Sequence, residues 1–207
     1  MNLKEYYWFF ENVIPPKMCD DIIKIGEETT LLKAVTGHDP KEAEKTDFEK
    51  QRNSNIAWLS EKWIYDEINP YIHSANSNSG WNFQWDWNEP CQFTKYTESQ
   101  FYDWHCDSYV DPIDNTNDPN IHGKFRKLSM TLLLNDGNDF EGGDFQFDFR
   151  NYNTNLVKEE DRIITVDKAR SKGSIIVFPS FVWHRVTKVT KGTRYSLVNW
   201  SLGDRFI

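Results

Sequence analysis

The sequence predicts a mainly β fold with flanking helices: an antiparallel double sheet of jelly-roll type with helices packed on one side. Three observations carry that reading. From residue 81 the chain falls into many short aromatic and β-branched runs. Turn signals separate those runs. The first third instead spaces its apolar residues as helices do. The 207 residues suit one domain with a full core, and neither a repeat nor a long linker divides them. The expected organisation is a single domain over 1–207, with 1–80 as mainly helical support and 81–207 as the β core.

In chain order, Pro15-Pro16 precede KMCDDIIKIG, where Met18, Ile22 and Ile25 recur at helical spacing and Gly26 ends or interrupts the helix. The charged stretch 36–50, TGHDPKEAEKTDFEK, reads as a solvated loop. Ser60 is placed to cap a second helix carrying Trp63, Ile64, Ile68 and Ile72, which Pro70 would bend or restart. ANSNSG then marks a turn region. The strand candidates are WNFQWDW, CQFTKY, FYDWH, KLSMTLLLN, GDFQFDF, GSIIVF, VWHRV and RYSLVNWSL, with turns at the GG of FEGGDF and the GT of KGTR. Two long polar insertions interrupt them, SYVDPIDNTNDPNIHGKF and RNYNTNLVKEEDR. Loops of this kind are either binding loops or tolerated surface excursions.

Composition narrows the function classes. Aromatics make up 15 % of the chain, including 9 Trp, so it is neither disordered nor of low complexity. The net charge of −8 disfavours a nucleic-acid partner. No apolar run approaches the ~20 residues that cross a bilayer, so no membrane association is expected. The N-terminal aromatic patch is bracketed by Glu5 and Glu11 and lacks the features of a signal peptide. Cys19, Cys91 and Cys106 form no CxxC, and three unevenly spaced thiols without an export signal suggest a reducing, cytoplasmic setting. No pattern specifies an oligomeric state.

The chemistry-bearing stretch is FYDWHCDSYV, residues 101–110. In a strand, side chains alternate faces, so His105 and Asp107 would point one way and Cys106 the other. A bare His-x-Asp is common at strand ends and needs a third ligand to mean anything. His38 and His122 lie in polar loops, and His73 lies on a helix. His184 follows GSIIVFPSFVW and opens the strand HRV, where a core sheet would fix it. Two His and one carboxylate on sheet strands form a facial triad suited to non-haem Fe(II), with zinc as the alternative by ligand type. Ten residues on, Arg194 opens an otherwise apolar strand. Facing the core it would need an anion, and its fork suits a carboxylate; facing outward beside the turn it would need none.

These residues, with KYTESQFYDWHCD, RKLSMTLLLND, FEGGDFQF, GSIIVFPSFVWHRV and KGTRYSLVNWSLG in order over about 91–203, resemble the Fe(II)- and 2-oxoglutarate-dependent dioxygenases. More narrowly they resemble the branch of prolyl 4-hydroxylases and procollagen-lysyl hydroxylases. The first ~90 residues are similar more loosely, in their helices and in RNSNIAWL. The resemblance implies a double-stranded β-helix in which His105, Asp107 and His184 hold iron. Arg194 would pair with the far carboxylate of 2-oxoglutarate, assisted by Ser196 and Tyr96, while Tyr102, Arg126 and Trp200 line the substrate side. It implies Fe(II), 2-oxoglutarate and O2 as cofactor and cosubstrates, with ascorbate as a candidate reductant. The implied reaction is hydroxylation of an unactivated C–H bond, releasing succinate and CO2, with a prolyl residue in a protein or peptide as the favoured substrate. Two departures stand out. Ser99 occupies a position where the family tyrosine motif usually has Gly, and Leu133 replaces a tyrosine that some prolyl hydroxylases use, leaving Arg194 and Ser196 to carry more of the cosubstrate.

Three other classes remain to compare with the residues. A nucleic-acid demethylase on the same core typically carries two Arg six apart on the last strand, but position 200 is Trp and Arg205 is too distant. A hydroxylase of a free amino acid or other small metabolite is compatible with the long loops. A non-catalytic β-sandwich binding module would have no need for the three ligands and the Arg.

Overall fold

The computed structural model describes residues 3, 5–34, 51–150 and 158–206. The predicted loop at 36–50 with His38, and residues 151–157 of the second polar insertion, lie outside the described residues. Among the described residues the architecture is two facing antiparallel sheets with two helices behind the larger one, and no helix is long and apolar enough to cross a membrane.

The larger sheet orders its strands β1 (Trp8–Phe10), β12 (Ile175–Pro179), β8 (Phe125–Leu133), β15 (Arg194–Gly203), β6 (Cys91–Tyr96), β4 (Asn55–Leu59) and β2 (Leu32–Lys33), with β5 (Trp87–Asn88) pairing the end of β15. The smaller sheet runs β11 (Ile163–Thr165), β10 (Phe145–Asp148), β13 (Trp183–Val186), β7 (Phe101–His105) and β3 (Arg52–Asn53). A two-stranded ribbon joins β14 (Val189–Gly192) to β9 (Phe140–Gly142).

The period-2 alternation of side chains decides what each face of the large sheet does. Leu197 of β15, Phe93 of β6, Leu128 of β8 and Val177 of β12 point to the helices and join the main core. Arg194, Ser196, Val198 and Trp200 of β15 point the other way, into the space between the sheets. Helix α1 (Pro16–Glu28) buries Cys19 and Ile22, and α2 (Lys62–Asn78) buries Ile64, Ile68 and Ile72 at a spacing of four, as one helix face requires. Two aromatic clusters fill the gap between sheets beside the site, one around Phe147 and Phe178 and one around Tyr96, Phe140 and Val186.

Several local expectations are corrected. Gly26 does not end α1; it lies buried inside the helix, where a Cβ would sit 2.5 Å from the Phe93 ring. It is a close-approach glycine that lets the helix lie on the sheet. Ser60 is not the helix cap, because α2 starts one residue later with Glu61 at the N-cap and no side-chain cap bond. Pro70 stays inside α2 on its exposed side, where water can reach the Asp66 carbonyl that loses its amide partner. The same helix absorbs most of ANSNSG, leaving the turn to Ser79 and Gly80. WNFQWDW does alternate burial at its start, with Trp81 and Phe83 inward, but only Trp87 joins a ladder. The Asn76 carboxamide binds both polar groups of the Phe83 backbone and takes the place of a neighbouring strand. The described part of the first 80 residues also supplies four strands, three of them only two or three residues long, too short for a periodicity signal.

Gly26→Ala should destabilise the fold. Alanine gains about 1 kcal/mol of helix propensity, but its methyl must displace Phe93, which is fully buried, and overpacking of that kind costs about 1–3 kcal/mol. Urea unfolding checks this; a midpoint at or above that of the parent would show that the helix can lift without loss.

Candidate metal centre and its cavities

His105 ends β7 and His184 lies on β13, and the two are direct cross-strand partners. Side chains of directly opposed residues project from the same face, and here the two rings are 4.1 Å apart between centroids. Asp107 lies beyond the end of β7. The Ser180 carbonyl holds it there by accepting the amides of Asp107 and Ser108 at 2.8 and 2.9 Å. The convergence expected of a His-x-Asp strand is thus reached with the Asp off the strand. Ligand atoms of His105, Asp107 and His184 lie within 4.8 Å of one another, and all three residues are buried.

The protonation pattern follows from the hydrogen bonds. Nδ1 of His105 is 2.7 Å from the Asp103 carbonyl, and Nδ1 of His184 is 2.9 Å from the Val182 carbonyl. A carbonyl only accepts, so each Nδ1 carries the proton and each Nε2 presents a lone pair. Both Nε2 atoms face Asp107, at 3.6 and 3.5 Å. Burial, and then the neighbouring His184, push the His105 pKa well below 6.5. Burial works to raise Asp107, but the two histidines, Arg126 and the Ser129 hydroxyl outweigh it and bring the carboxyl to about 2. Ser129 donates to Asp107 Oδ2 at 2.7 Å and fixes the carboxylate plane. Two neutral imidazole lone pairs and one carboxylate, each oriented by a second group, form a donor set that fits a divalent transition metal such as Fe(II).

Arg194 faces this centre from the other sheet. It is buried, and its Nη1 donates to Ser196 Oγ at 2.9 Å. Its guanidinium carbon lies 5.6 Å from the Tyr96 ring centroid, and Tyr96 is its register partner on β6. Among the described residues no carboxylate lies within ion-pair distance of Arg194. A buried cation with only a hydroxyl and an aromatic face is an incomplete site that an anionic ligand would complete. The outward-facing alternative for Arg194 is excluded. Ser99 has a φ of +70°, a left-handed conformation that glycine adopts at low cost, so the serine departure falls where backbone strain is borne.

A small inner cavity holds the three-ligand cluster and Arg194 and opens into a cavity of about 580 Å³. Arg52, Gln92, Tyr102, Asp107 and Trp200 border both. Tyr102 would face away from His105 on a regular strand. The register places only Arg185 opposite both Asp103 and Trp104, a bulge that swings Tyr102 back to stack on His105 at 3.4 Å. Trp104, next to His105 in the strand, points away from the cluster and packs beside Arg185 and Arg150 on the outer face. Arg126 stacks over Trp200 at 4.0 Å and pairs with Glu89 at 2.6 Å. His122 is exposed in the first polar insertion and His73 is exposed on α2, both remote from the cluster.

Four residues beside the site were missed from sequence. Arg52 is buried, lies over the Tyr102 ring at 4.4 Å, and its Nη2 has no hydrogen-bond partner among the described residues. Its clue was an Arg and a Ser two apart in RNSNIAWL, which share a face; Arg52 Nε donates to Ser54 at 3.0 Å. Glu89, Ser129 and the exposed Trp58 carry no local signal, since only the tertiary fold sets them beside Arg126, Asp107 and Trp200.

Residues 91–202 match the family model of the 2OG-Fe(II) oxygenase superfamily. A PKHD-type hydroxylase of Alteromonas mediterranea is 34 % identical over 111 residues, covering 54 % of this chain and 42 % of that protein. The chain therefore aligns with less than half the length of this relative. Among solved structures, the viral collagen prolyl hydroxylase of Paramecium Bursaria Chlorella virus-1 superposes with a TM-score of 0.63 at 19 % identity, covering 97 % of both chains. A Pseudomonas putida prolyl-4-hydroxylase superposes with a TM-score of 0.63 at 18 % identity, covering 98 % of this chain and 95 % of that one. At these identities the likeness establishes the jelly-roll fold.

Asp107→Ala should lower Fe(II) affinity by at least about a hundredfold while the far-ultraviolet circular dichroism stays unchanged, and Ser129→Ala, acting only through the carboxylate, by about 10–100-fold. Metal titration checks both; parent-like affinity in Asp107→Ala would remove it from the ligand set. The pH dependence has a definite sign. Metal binding needs a neutral His105 and an ionised Asp107, and these hold from well below pH 6.5 upward, because the imidazole pKa is lowered and the carboxyl titrates at about 2. Neither group should weaken binding between pH 8 and 6.5, so a loss in that window steeper than the tenfold per pH unit a single further proton can cause would contradict the assignment.

Proposed function

The chain belongs to the 2OG-Fe(II) oxygenase superfamily, and from that membership we propose that it is an Fe(II)- and 2-oxoglutarate-dependent dioxygenase that hydroxylates a prolyl residue within a peptide or protein. The superfamily uses Fe(II), 2-oxoglutarate and O2. In this reading His105, Asp107 and His184 would hold the iron. When bound, the metal with O2 and 2-oxoglutarate supplies an oxidant able to hydroxylate an unactivated C–H bond, with release of succinate and CO2.

The chain's own residues account for the rest. Asp107 offsets part of the metal charge, and the Nδ1 hydrogen bonds hold both imidazole planes without side-chain rearrangement. Arg194 takes the far carboxylate of 2-oxoglutarate, with Ser196 and Tyr96 beside it. Phe145, Phe178 and Val186 give the inner cavity an apolar wall that keeps water away. Tyr102, Arg126 and Trp200 position the substrate. Two buried donors beside both cavities, Trp200 Nε1 and Arg52 Nη2, have no partner among the described residues, and a small shift of either side chain would let it meet an oxygen acceptor of an incoming main chain.

The observation that carries the peptide reading is the outer cavity. Its volume of about 580 Å³ far exceeds what a single proline needs. Trp58, Trp87, Tyr109 and Leu32, four of the exposed large apolar residues, line it. Among structural neighbours, a prolyl hydroxylase of Trichoplax adhaerens was solved with a hypoxia inducible factor peptide fragment, at 15 % identity and a TM-score of 0.62. Free amino acids or small metabolites would leave this aromatic mouth unused.

Trp200→Ala and Arg126→Ala should spare iron binding, 2-oxoglutarate binding and the slow conversion of 2-oxoglutarate to succinate without peptide. Hydroxylation of a proline peptide should fall at least tenfold, and succinate release should stop responding to peptide. Succinate and hydroxyproline are measured from the same tubes, with and without peptide, with ascorbate as reductant. Should the parent show no response to a broad set of proline peptides while free amino acids stimulate succinate release, the small-metabolite reading replaces this one.

A further inference from the structure

We propose that Arg170 and the Gly142–Gly143 turn form the back wall of the Arg194 pocket, and that Arg170 is a positioning residue setting how far the Arg194 guanidinium reaches toward the metal centre. The proposal rests on reading Arg194 as the receptor for the far carboxylate of 2-oxoglutarate.

The wall begins with the turn. Gly142 and Gly143 have φ of +68° and +62°, the left-handed conformation that carries the chain from β9 into β10. Gly143 lies directly behind Arg194. A Cβ there would stand 3.1 Å from Arg194 Cδ, 3.0 Å from a Val189 methyl and 3.2 Å from the Phe140 ring. The missing side chain is thus the space into which the arginine stem recedes. At Gly142 the constraint is the partner strand, since a Cβ would lie 2.2 Å from the Lys188 carbonyl.

Such a turn needs fixing from outside, and Arg170 does that. It comes from the 3-10 turn Asp167–Arg170 and turns its guanidinium onto the back of the strap. Its Nη1 donates to the Gly142 carbonyl at 3.0 Å, and its Nη2 to the carbonyls of Gly137 and Phe140, both at 3.1 Å. It pairs with Asp144, immediately after Gly143, and lies over the Phe140 ring at 4.7 Å. One planar fork thereby ties three carbonyls, a carboxylate and an aromatic ring that together span residues 137–144. Lysine could keep the charge but not this set of directions. From the other side Gly143 donates to the Lys188 carbonyl at 3.2 Å, and Asp144 exchanges bonds with Thr187. The strap is held on both flanks, and Arg194 packs against its middle. Asp144 also neutralises Arg170, so the second guanidinium does not offer a competing anion site near the first.

The test titrates 2-oxoglutarate and pyruvate, anaerobically, into the Fe(II)-loaded protein and reads the charge-transfer absorption. Pyruvate has the metal-chelating end and lacks the far carboxylate. Metal affinity and thermal midpoint are measured beside it. Arg170→Ala and Gly143→Ala should each raise the half-saturating 2-oxoglutarate concentration at least tenfold and move that of pyruvate less than twofold. Arg170→Lys, the milder variant if alanine impairs folding, should fall between. In a purely structural role both ligands would weaken together, or the midpoint would drop with the 2-oxoglutarate titration unchanged; either result overturns the proposal. Arg194→Ala separates the two levels of argument. If it loses 2-oxoglutarate selectively and the Arg170 and Gly143 variants do not, the back wall fails alone. If it leaves the titration unchanged, the cosubstrate reading fails and takes this proposal with it.

Discussion

The pairing of His105 with His184 across β7 and β13 is the contact on which the site depends. The two residues are distant in sequence and meet only because of strand register. A slip of one residue would turn one of them to the opposite face of the sheet. The bulge beside this pair does two things together. It sharpens the local twist, and it returns Tyr102 to the same side as His105, where the two rings stack. A single irregularity therefore sets both a metal ligand and a residue facing the larger cavity. Asp107 escapes register altogether and is held by main-chain bonds to Ser180 and a side-chain bond from Ser129, both from strands or turns of the opposing layer.

The buried charges are shared out between the sheets so that two clusters of opposite demand face each other. On the smaller sheet, two imidazole lone pairs and a carboxylate converge with nothing positive among them to complete them. On the larger sheet, Arg194 is buried with only a hydroxyl and an aromatic face. Nearby charged groups are arranged otherwise: Arg126 has Glu89, Arg170 has Asp144, and the fully buried Asp148 has both Arg150 and Arg162. Partnering is the general rule in this protein, as the cost of burying a lone charge demands. Arg194 departs from that rule inside the inner cavity, and in the proposed reading a ligand carrying a metal-chelating end and a distal carboxylate would meet both its demand and that of the three-residue cluster.

How much of this was legible in the sequence depends on whether a signal was local. Long runs such as RKLSMTLLLN and RYSLVNWSLG declare strands because their apolar and β-branched residues suffice, whatever their neighbours. The ligands and Arg194 were legible because each sits at a defined place relative to such a run. Gly26 misled because a glycine in a helix has two readings, a stop or a close approach, and only Phe93 decides between them. WNFQWDW misled because alternation reports which side chains are buried and not whether a partner strand exists; here one asparagine side chain stands in for the ladder. Arg52 and Glu89 escaped since their meaning lies wholly in what tertiary structure sets beside them, Tyr102 for one and Arg126 for the other.

The division of labour between sheets has a consequence for how such a site can vary. His105 and His184 belong to the small sheet and Asp107 follows the end of β7, while Arg194, Ser196 and Trp200 belong to one face of a single strand of the large sheet. In the proposed reading, moving along β15 shifts the partner chemistry from anion receptor at Arg194 to substrate wall at Trp200 in steps of two residues, with Val198 as an apolar spacer. The spacing of the two sheets that carry His184 and Arg194 is set by inter-sheet packing through Phe145, Phe147 and Phe178. The substrate side is different. Its outer wall comes from the turn-rich segment around Tyr109, Ile113 and Ile121 and from the exposed Trp58 and Trp87, where side chains can change without repacking the core. In that reading cosubstrate geometry is built into the rigid part of the fold and substrate choice into its rim, so the rim is where proteins sharing this fold are free to diverge.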